Sequence, residues 1–440
     1  MREFRDPIHG FIKVSDNEKR IIDSAPFQRL RNIKQLALTC YVYHGAEHTR
    51  FGHSLGVMHL SSRAFNSAAS KGDYKFKADP VENDRHIKWL EQILRLIALT
   101  HDLGHAPFSH AAEDLFPFKN TNKKERYKHE DLTELIVKAE PIAGIIRDIG
   151  REYKSKDAPD DDYDITPEMI CDIYNGKIPG ANSEFTLLRT FIDSELDCDK
   201  MDYLLRDSLY CGVSYGKFDL ERLISSLVIA GRPHEAAPIL CIDSGGINAF
   251  EEFVLARYFM FIQVYFHKTR RFFDIMLSMA LKQCLPEGLF TVNAEEYLQW
   301  DDTRVMELLK SKADQCKEAE RIIKRQRWVC VNHTKTHPNG DSLKYFRSIE
   351  RRLKKKFGEE KFLVDRSADK IPHKLVPRKY EIDSEEIILI MNKKQNRFTT
   401  ISDESQIISN LTDKINIQRI YAREDISDAA LSEVREDTED

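Results

Sequence analysis

Three histidines and an aspartate fall within ten positions in HDLGHAPFSH, residues 101–110. Imidazoles and carboxylates at this density are ligands for a divalent metal, or acids and bases for hydrolysis. His101 and Asp102 are adjacent, directly after the apolar run ILRLIALT. Neighbours on a helix point about 100° apart, so one ion takes both only from between their directions and needs further ligands. HTRFGHSLG supplies His48 and His53 upstream; Asp193, Asp197, Asp199, Asp202 and Asp207 lie downstream, in and just before SELDCDKMDYLLRD. Mixed imidazole and carboxylate donors suit Mn, Fe, Co, Ni or Zn. Each residue alone reads more readily as a helix cap or a surface ion pair. Their concentration in three clusters argues for chemistry.

The elements that must hold these groups read as helices. NEKRIIDSAPFQRLRNIKQL has helical apolar spacing, with Pro26 as a break between two helices. HSLGVMHLSSRAFNSAAS and HIKWLEQILRLIALTHDLGH repeat that texture, and SELDCDKMDYLLRDSLY carries no proline. The stretch from Asn248 to Leu281 is also free of proline and apolar nearly all round at its centre, which predicts a buried element. FKNTNKKERYKHE (118–130) and KSKDAPDDDYDITPE (154–168) read as loops, and GRPHEAAPILCIDSGG (231–246) holds a short strand. From about residue 320 the runs RWVCVNHT, KFLVDRS and EIILIMNKK are β-rich, with a helix expected at 341–357. The expectation is a mainly α protein: a helical catalytic domain over 1–319, a smaller α+β region over 320–425, and a flexible acidic tail over 426–440.

The 440 residues are 41% hydrophobic and 32% charged, with a net charge of −5, as in a soluble globular protein. That balance gives no electrostatic reason for nucleic acid as the main partner. The basic run RRLKKKFGEEK reads as a solvated helix face. Eight cysteines without a CxxC pair fit reduced thiols. No apolar h-region opens the chain and no run approaches the roughly 20 residues that span a bilayer, so a cytoplasmic location and no membrane partner are expected.

The order His53, His101-Asp102, Asp199 resembles the HD-domain phosphohydrolase superfamily, a helical bundle around H…HD…D metal ligands. DPIHGFIKV, RIIDSAPFQRLRNIKQL, HTRFGHSLGVMHL, HDLGHAPFSH and DCDKMDYLLRDSLYCGV are similar, in that order, to the deoxynucleoside triphosphate (dNTP) triphosphohydrolases of that superfamily. The likeness covers roughly residues 1–290 and includes the animal members that also carry a SAM domain. It implies that His53, His101, Asp102 and Asp199 hold the metal, with a Mg ion on the substrate phosphates. The implied reaction converts dNTP to deoxynucleoside and triphosphate by attack at the α-phosphorus. His110 matches the family's general acid, and Glu113, where the animal enzyme has Asp, would orient it. His129 and His105 match histidines beside the phosphates. Arg50, Lys200 and Arg257 match phosphate-binding cations. Gln35 and Asp207 match residues that bond the 3′-hydroxyl, Leu36 belongs to the same substrate-binding set, and Tyr203 and Tyr265 match the pair that packs beneath C2′.

The animal enzyme takes a guanine nucleotide at a subunit interface and becomes an active tetramer. Asp23, Gln28 and Arg31 match its guanine-reading residues, His267 and Lys268 match, and Arg222 aligns after a one-residue insertion. The resemblance therefore implies a GTP, dGTP or dNTP activator and a homo-oligomer, dimer or tetramer. Other regulatory positions depart: Arg5 stands where the animal enzyme has Asn, and Arg325 and Arg327 align without fixed register. Competing readings are an HD-type phosphodiesterase or nuclease, and a catalytically silent nucleotide sensor.

Overall fold

The computed structural model describes residues 2–120, 125–153, 163–178, 182–231, 237–366, 388–392, 394, 397–411 and 413–436. The chain opens with an antiparallel hairpin, β1 (Arg2–Asp6) and β2 (Gly10–Val14), then α1 (Asp16–Asp23). Ser15 and Glu18 form a reciprocal capping box at the start of α1. Pro26 opens a new short helix after Ser24, as the break at that proline predicts.

The bundle centre is α2 (Arg50–Lys71) packed along α3 (Pro80–Thr100). Asp79 caps α3 through the Glu82 amide, and Pro80 supplies the first-turn φ. His101 follows α3 directly, and α4 (His129–Val137) and α5 (Cys198–Cys211) complete the walls of the site. Gly104 permits the approach of α4: a Cβ there would lie 2.1 Å from the His129 carbonyl oxygen and 2.3 Å from the Thr133 nitrogen.

The proline-free stretch is not one helix. It divides into α6 (Ile247–Met260), a π-turn over Phe261–Tyr265 and α7 (Lys268–Cys284). His267 caps the second helix, its Nδ1 accepting from the Thr269 amide at 3.2 Å. Short π-segments of this kind are frequent at functional sites, and this one ends at Tyr265.

Helix α8 (Asp302–Lys312) leads to β5 (Val329–His333), α9 (Gly340–Phe357) and β6 (Phe362–Arg366). Strand β3 (Leu227–Gly231) pairs with β4 (Pro238–Asp243), which pairs in parallel with β7 (Leu389–Asn392), followed by β8 (Arg397–Thr400). This sheet joins residues on both sides of the expected boundary at 319/320. The second sheet has order β5–β9–β6, with β9 (Gln418–Ala422) central. It shares a small core with α9 through Phe346, Ile349, Leu353 and Ile420.

The tail expectation needs correction. Ser427–Glu436 form α10, Ala430 is buried, and Glu433 pairs with Arg352 and Lys356 of α9. The apolar positions of DAALSEV outweigh the acidic composition once α9 offers them a partner. Residues 437–440, and 154–162 of the second expected loop, lie outside the described residues. No helix among the described residues is long and apolar enough to cross a membrane.

Candidate metal centre

His53 on α2 and His101 at the end of α3 face each other edge to face, with ring centroids 5.5 Å apart. One donor atom each from His53, His101 and Asp102 lie within 4.8 Å of one another. Asp199, in the first turn of α5, places Oδ1 2.9 Å from His53 Nε2 and 3.8 Å from His101 Nε2. His101 Nδ1 is spent on the Ala98 carbonyl at 2.7 Å, which leaves its Nε2 as a lone pair.

Both Nε2 atoms are buried and neither has a hydrogen-bond partner, although Asp199 approaches closely. Buried nitrogens that converge on carboxylates without bonding them form the donor set of a cation. The electrostatics agree. Burial disfavours a charged His53, but Asp199, Asp202 and Asp102 around it push its pKa up to about 10. Burial opposes the ionised Asp199 also, yet His101 and His53 hold it well below the carboxylate range. The site demands positive charge, and two imidazoles with two carboxylates fit a borderline divalent ion. Asp199, with 31% of its side chain exposed, marks the open side.

Arg50, buried at the start of α2, reaches Asp102 Oδ2 at 2.6 Å and Ser109 Oγ at 2.8 Å. Asp102 stays ionised against its burial because Arg50, His101 and His105 surround it. His105 Nε2 lies 3.2 Å from Asp102 Oδ1, and burial, Arg50 and His129 keep that ring neutral. The His105 ring stacks on His129 at 3.9 Å. Glu113, in the turn Ser109–Leu115, sits between two histidines: Oε2 3.1 Å from His110 Nδ1 and Oε1 2.7 Å from His129 Nδ1. Burial raises the Glu113 pKa, but His110 and His129 together hold it far below its usual value. His129 is raised in turn, Glu113 outweighing burial. The His110 side chain is 63% exposed, so a proton carried there faces solvent or a ligand. Donors of His105, His110, Glu113 and His129 also converge within 4.8 Å, a second group able to hold a cation.

Asp199, Tyr203 and Asp207 stand four residues apart on one face of α5. The Tyr265 hydroxyl donates to Asp207 Oδ2 at 2.7 Å, and the Tyr203 and Tyr265 rings meet edge to face at 6.2 Å. His48 Nε2 bonds Asp207 Oδ1 at 2.7 Å, so His48 serves Asp207 and not the metal cradle. Gln35 is buried, as is Leu36, and the Gln35 Oε1 has no partner. Lys200 pairs with Asp197 and Arg257 with Glu195, each at 2.6 Å, and both cations lie close enough to act on the Tyr203 hydroxyl. Asp197 caps α5, and Asp193 pairs with Arg189 at the surface, so neither is a ligand.

The residues that the resemblance implies for an activating nucleotide fall into separate places. Asp23 is the exposed last residue of α1, paired with Lys19. Gln28 bridges the Ile22 carbonyl and Arg31 Nε, and the Arg31 guanidinium lies 3.5 Å from the Phe51 ring centre. Arg222 donates to the Gly245 carbonyl, while His267 and Lys268 sit at the start of α7. Among the described residues no contact joins these three groups within one chain.

Sequence reasoning missed the support behind His53. Asp202 accepts from His53 Nδ1 at 2.8 Å, His9 Nε2 at 2.6 Å and Arg206 Nε at 2.8 Å, and Arg206 also binds Asp6 at 2.9 Å. Available signals were the DPIHG turn, and Asp202 with Arg206 at i+3 and i+7 from Asp199, on the same side of the helix.

The HD domain is matched over residues 50–171, and the HD associated region over 218–430. The chain is 31% identical over 367 residues to the uncharacterized protein YwfO of Bacillus subtilis, covering 78% of this chain and 74% of that one. A crystal structure of a protein from Aquifex aeolicus superposes with TM-score 0.77 at 33% identity, covering 98% and 99% of the two chains. The deoxynucleoside triphosphate triphosphohydrolase SAMHD1 homolog of Dictyostelium discoideum is 31% identical over 73% of this chain, which spans 57% of that protein. The chain belongs to the HD-domain phosphohydrolase family, and within it is similar to the dNTP triphosphohydrolases.

Proposed function

We propose that the protein hydrolyses dNTPs to deoxynucleoside and inorganic triphosphate with a divalent cation at His53, His101, Asp102 and Asp199. The observation that carries this reading is the line Asp199, Tyr203, Asp207 on one face of α5, a phosphate-end ligand leading to a walled sugar site. A bound divalent ion supplies Lewis-acid stabilisation at the α-phosphate and a nucleophile from water at neutral pH. The remaining chemistry belongs to side chains. Arg50 orients Asp102 and presents a fork to phosphate. His110, held through Nδ1 by Glu113, has its outer nitrogen available to protonate the leaving 5′-oxygen. His129 and neutral His105 line the phosphate path, and Lys200 and Arg257 add positive charge for a triphosphate that brings Mg.

Sugar selection follows from the same face. A carboxylate has about four lone-pair sites, so Asp207 can accept a 3′-hydroxyl beside His48 and Tyr265. The unpaired Gln35 Oε1 is a second acceptor, with Leu36 beside it. Tyr203 and Tyr265 fill the space a 2′-hydroxyl would need.

Activation by GTP, dGTP or a dNTP in a homo-oligomer, dimer or tetramer, is part of the proposal. It rests on Asp23, Gln28, Arg31, Arg222, His267 and Lys268, of which Asp23, Arg31, Arg222 and Lys268 are exposed. The test is incubation with Mn or Mg and each dNTP or rNTP, with and without GTP, scored for inorganic triphosphate. Triphosphate from dNTPs alone supports the reading. Monophosphate release or cleavage of nucleic acid instead would favour a phosphodiesterase.

A further inference from the structure

The two residues before the proposed general acid are held in an unusual way. Phe108 and Ser109, immediately before His110, have φ of +59° and +54°. Two successive non-glycine residues in left-handed conformation persist only where the surroundings impose them. The imposing group is Asp302, the first residue of α8, nearly two hundred positions away and outside the matched HD domain.

The buried Asp302 carboxylate accepts the Phe108 amide at Oδ1, 2.7 Å, and the Lys34 amide at Oδ2, 2.9 Å. The Lys34 carbonyl accepts the Ser109 hydroxyl at 2.7 Å. The ring Asp302–Phe108–Ser109–Lys34 is thereby closed, and Arg50 enters it by donating to Ser109 Oγ while holding Asp102. Neighbouring residues fasten the same loop. Tyr297 donates to the Gly104 carbonyl at 2.8 Å, and Arg29 joins the Trp300 carbonyl at 2.7 Å to the His105 carbonyl at 2.9 Å.

We propose that Asp302 is a positioning residue for the hydrolytic reaction: its two oxygens fix the Phe108–Ser109 turn, and with it the place of His110, relative to Lys34-Gln35 on the sugar side and Arg50 on the phosphate side. The inference rests on the proposed role of His110 and adds to it a residue from beyond the HD domain. A carboxylate is required because both amides donate, and only an acceptor with two oxygens satisfies both. Asparagine keeps the volume but replaces one acceptor by a donor facing an amide.

Asp302→Asn is compared with wild type in metal content, thermal midpoint, kcat and KM for dNTP, and amide hydrogen exchange. The expected result is a kcat lower by about tenfold or more, since misplacement of order an ångström costs up to about a hundredfold. KM and metal content should stay near wild type. Exchange should quicken together in peptides covering 103–111 and 33–36. Asp302→Glu, with two acceptor oxygens, should recover part of the kcat. Wild-type kcat with unchanged exchange overturns the proposal. So does general acceleration of exchange with activity lost in proportion to a lowered thermal midpoint, which makes Asp302 a stability residue only. If wild type releases no triphosphate, the functional reading fails, and paired or unpaired acceleration of the two peptides still decides whether Asp302 holds the turn.

Discussion

His53 bonds Asp202 through Nδ1 at 2.8 Å, and this contact decides which way its other nitrogen faces. Asp202 is held well below the usual carboxylate range: burial works against ionisation, but Arg206, His53 and His9 overcome it. A carboxylate only accepts, so the Nδ1 proton stays on His53 and Nε2 is presented toward His101 and Asp199. Helix α5 thus contributes one aspartate to the cradle and another to aim the imidazole facing it.

Asp202→Asn is therefore expected to weaken divalent-ion affinity by about 10- to 100-fold, the usual cost of losing a carboxylate behind a ligating histidine. Competition between the protein and a chelator of known affinity measures this without any turnover. Affinity equal to wild type would mean that Asp202 only anchors Arg206.

Tyr203→Ala tests the sugar wall. Removing the ring opens space between Asp199 and Asp207 while leaving both carboxylates in place. The ratio of dNTP to rNTP turnover should fall by roughly 10- to 100-fold, the discrimination a steric pocket can supply. An unchanged ratio would put sugar selection elsewhere.

The clusters that supply His53, His101, Asp102 and Asp199 were legible because imidazoles and carboxylates are concentrated there in stretches of helical texture, while the choice of these four among the candidates came from the resemblance. The second layer was less legible for a physical reason. His9 lies 193 positions from Asp202 and Asp302 lies 194 from Phe108, and no periodicity reports contacts made only on folding. The π-turn at Phe261–Tyr265 was hidden for a similar reason: the segment is apolar all round, so no face reports the change of pitch. Acidic composition misled over Ser427–Glu436, where Ala430 finds a partner surface.

His59 predicts a particular acid response. Burial first, then the charges of His9, Arg63 and Arg95, lowers its pKa from 6.5 to about 4. The folded state therefore favours the neutral ring. Its contribution to stability is present above pH 6.5 and is lost as pH falls from 6.5 through about 4. His59→Gln should lose stability less steeply over that window, read as the denaturant midpoint at successive pH values. Parallel curves for the two proteins would remove His59 from the acid response.

Gly56 should be the least replaceable glycine of α2. A Cβ there would lie 1.9 Å from Asp202 Oδ1 and 2.6 Å from an Arg206 guanidinium nitrogen. Neither can give way, because Asp202 is fully buried between His9, His53 and Arg206, and Arg206 is pinned to Asp6. Overpacking costs about 1–3 kcal/mol, and displacing one partner of a buried ion pair about 3–5 kcal/mol. Gly56→Ala should thus lower the unfolding free energy by at least ~3 kcal/mol and release the metal together with the fold. Gly340→Ala is the control, since a Cβ at Gly340 meets nothing within 4 Å. Its thermal midpoint should match or slightly exceed wild type, as expected where alanine only restricts the unfolded chain. A Gly56→Ala protein as stable as that control would mean that Asp202 and Arg206 can separate, and that His53 is aimed by something else.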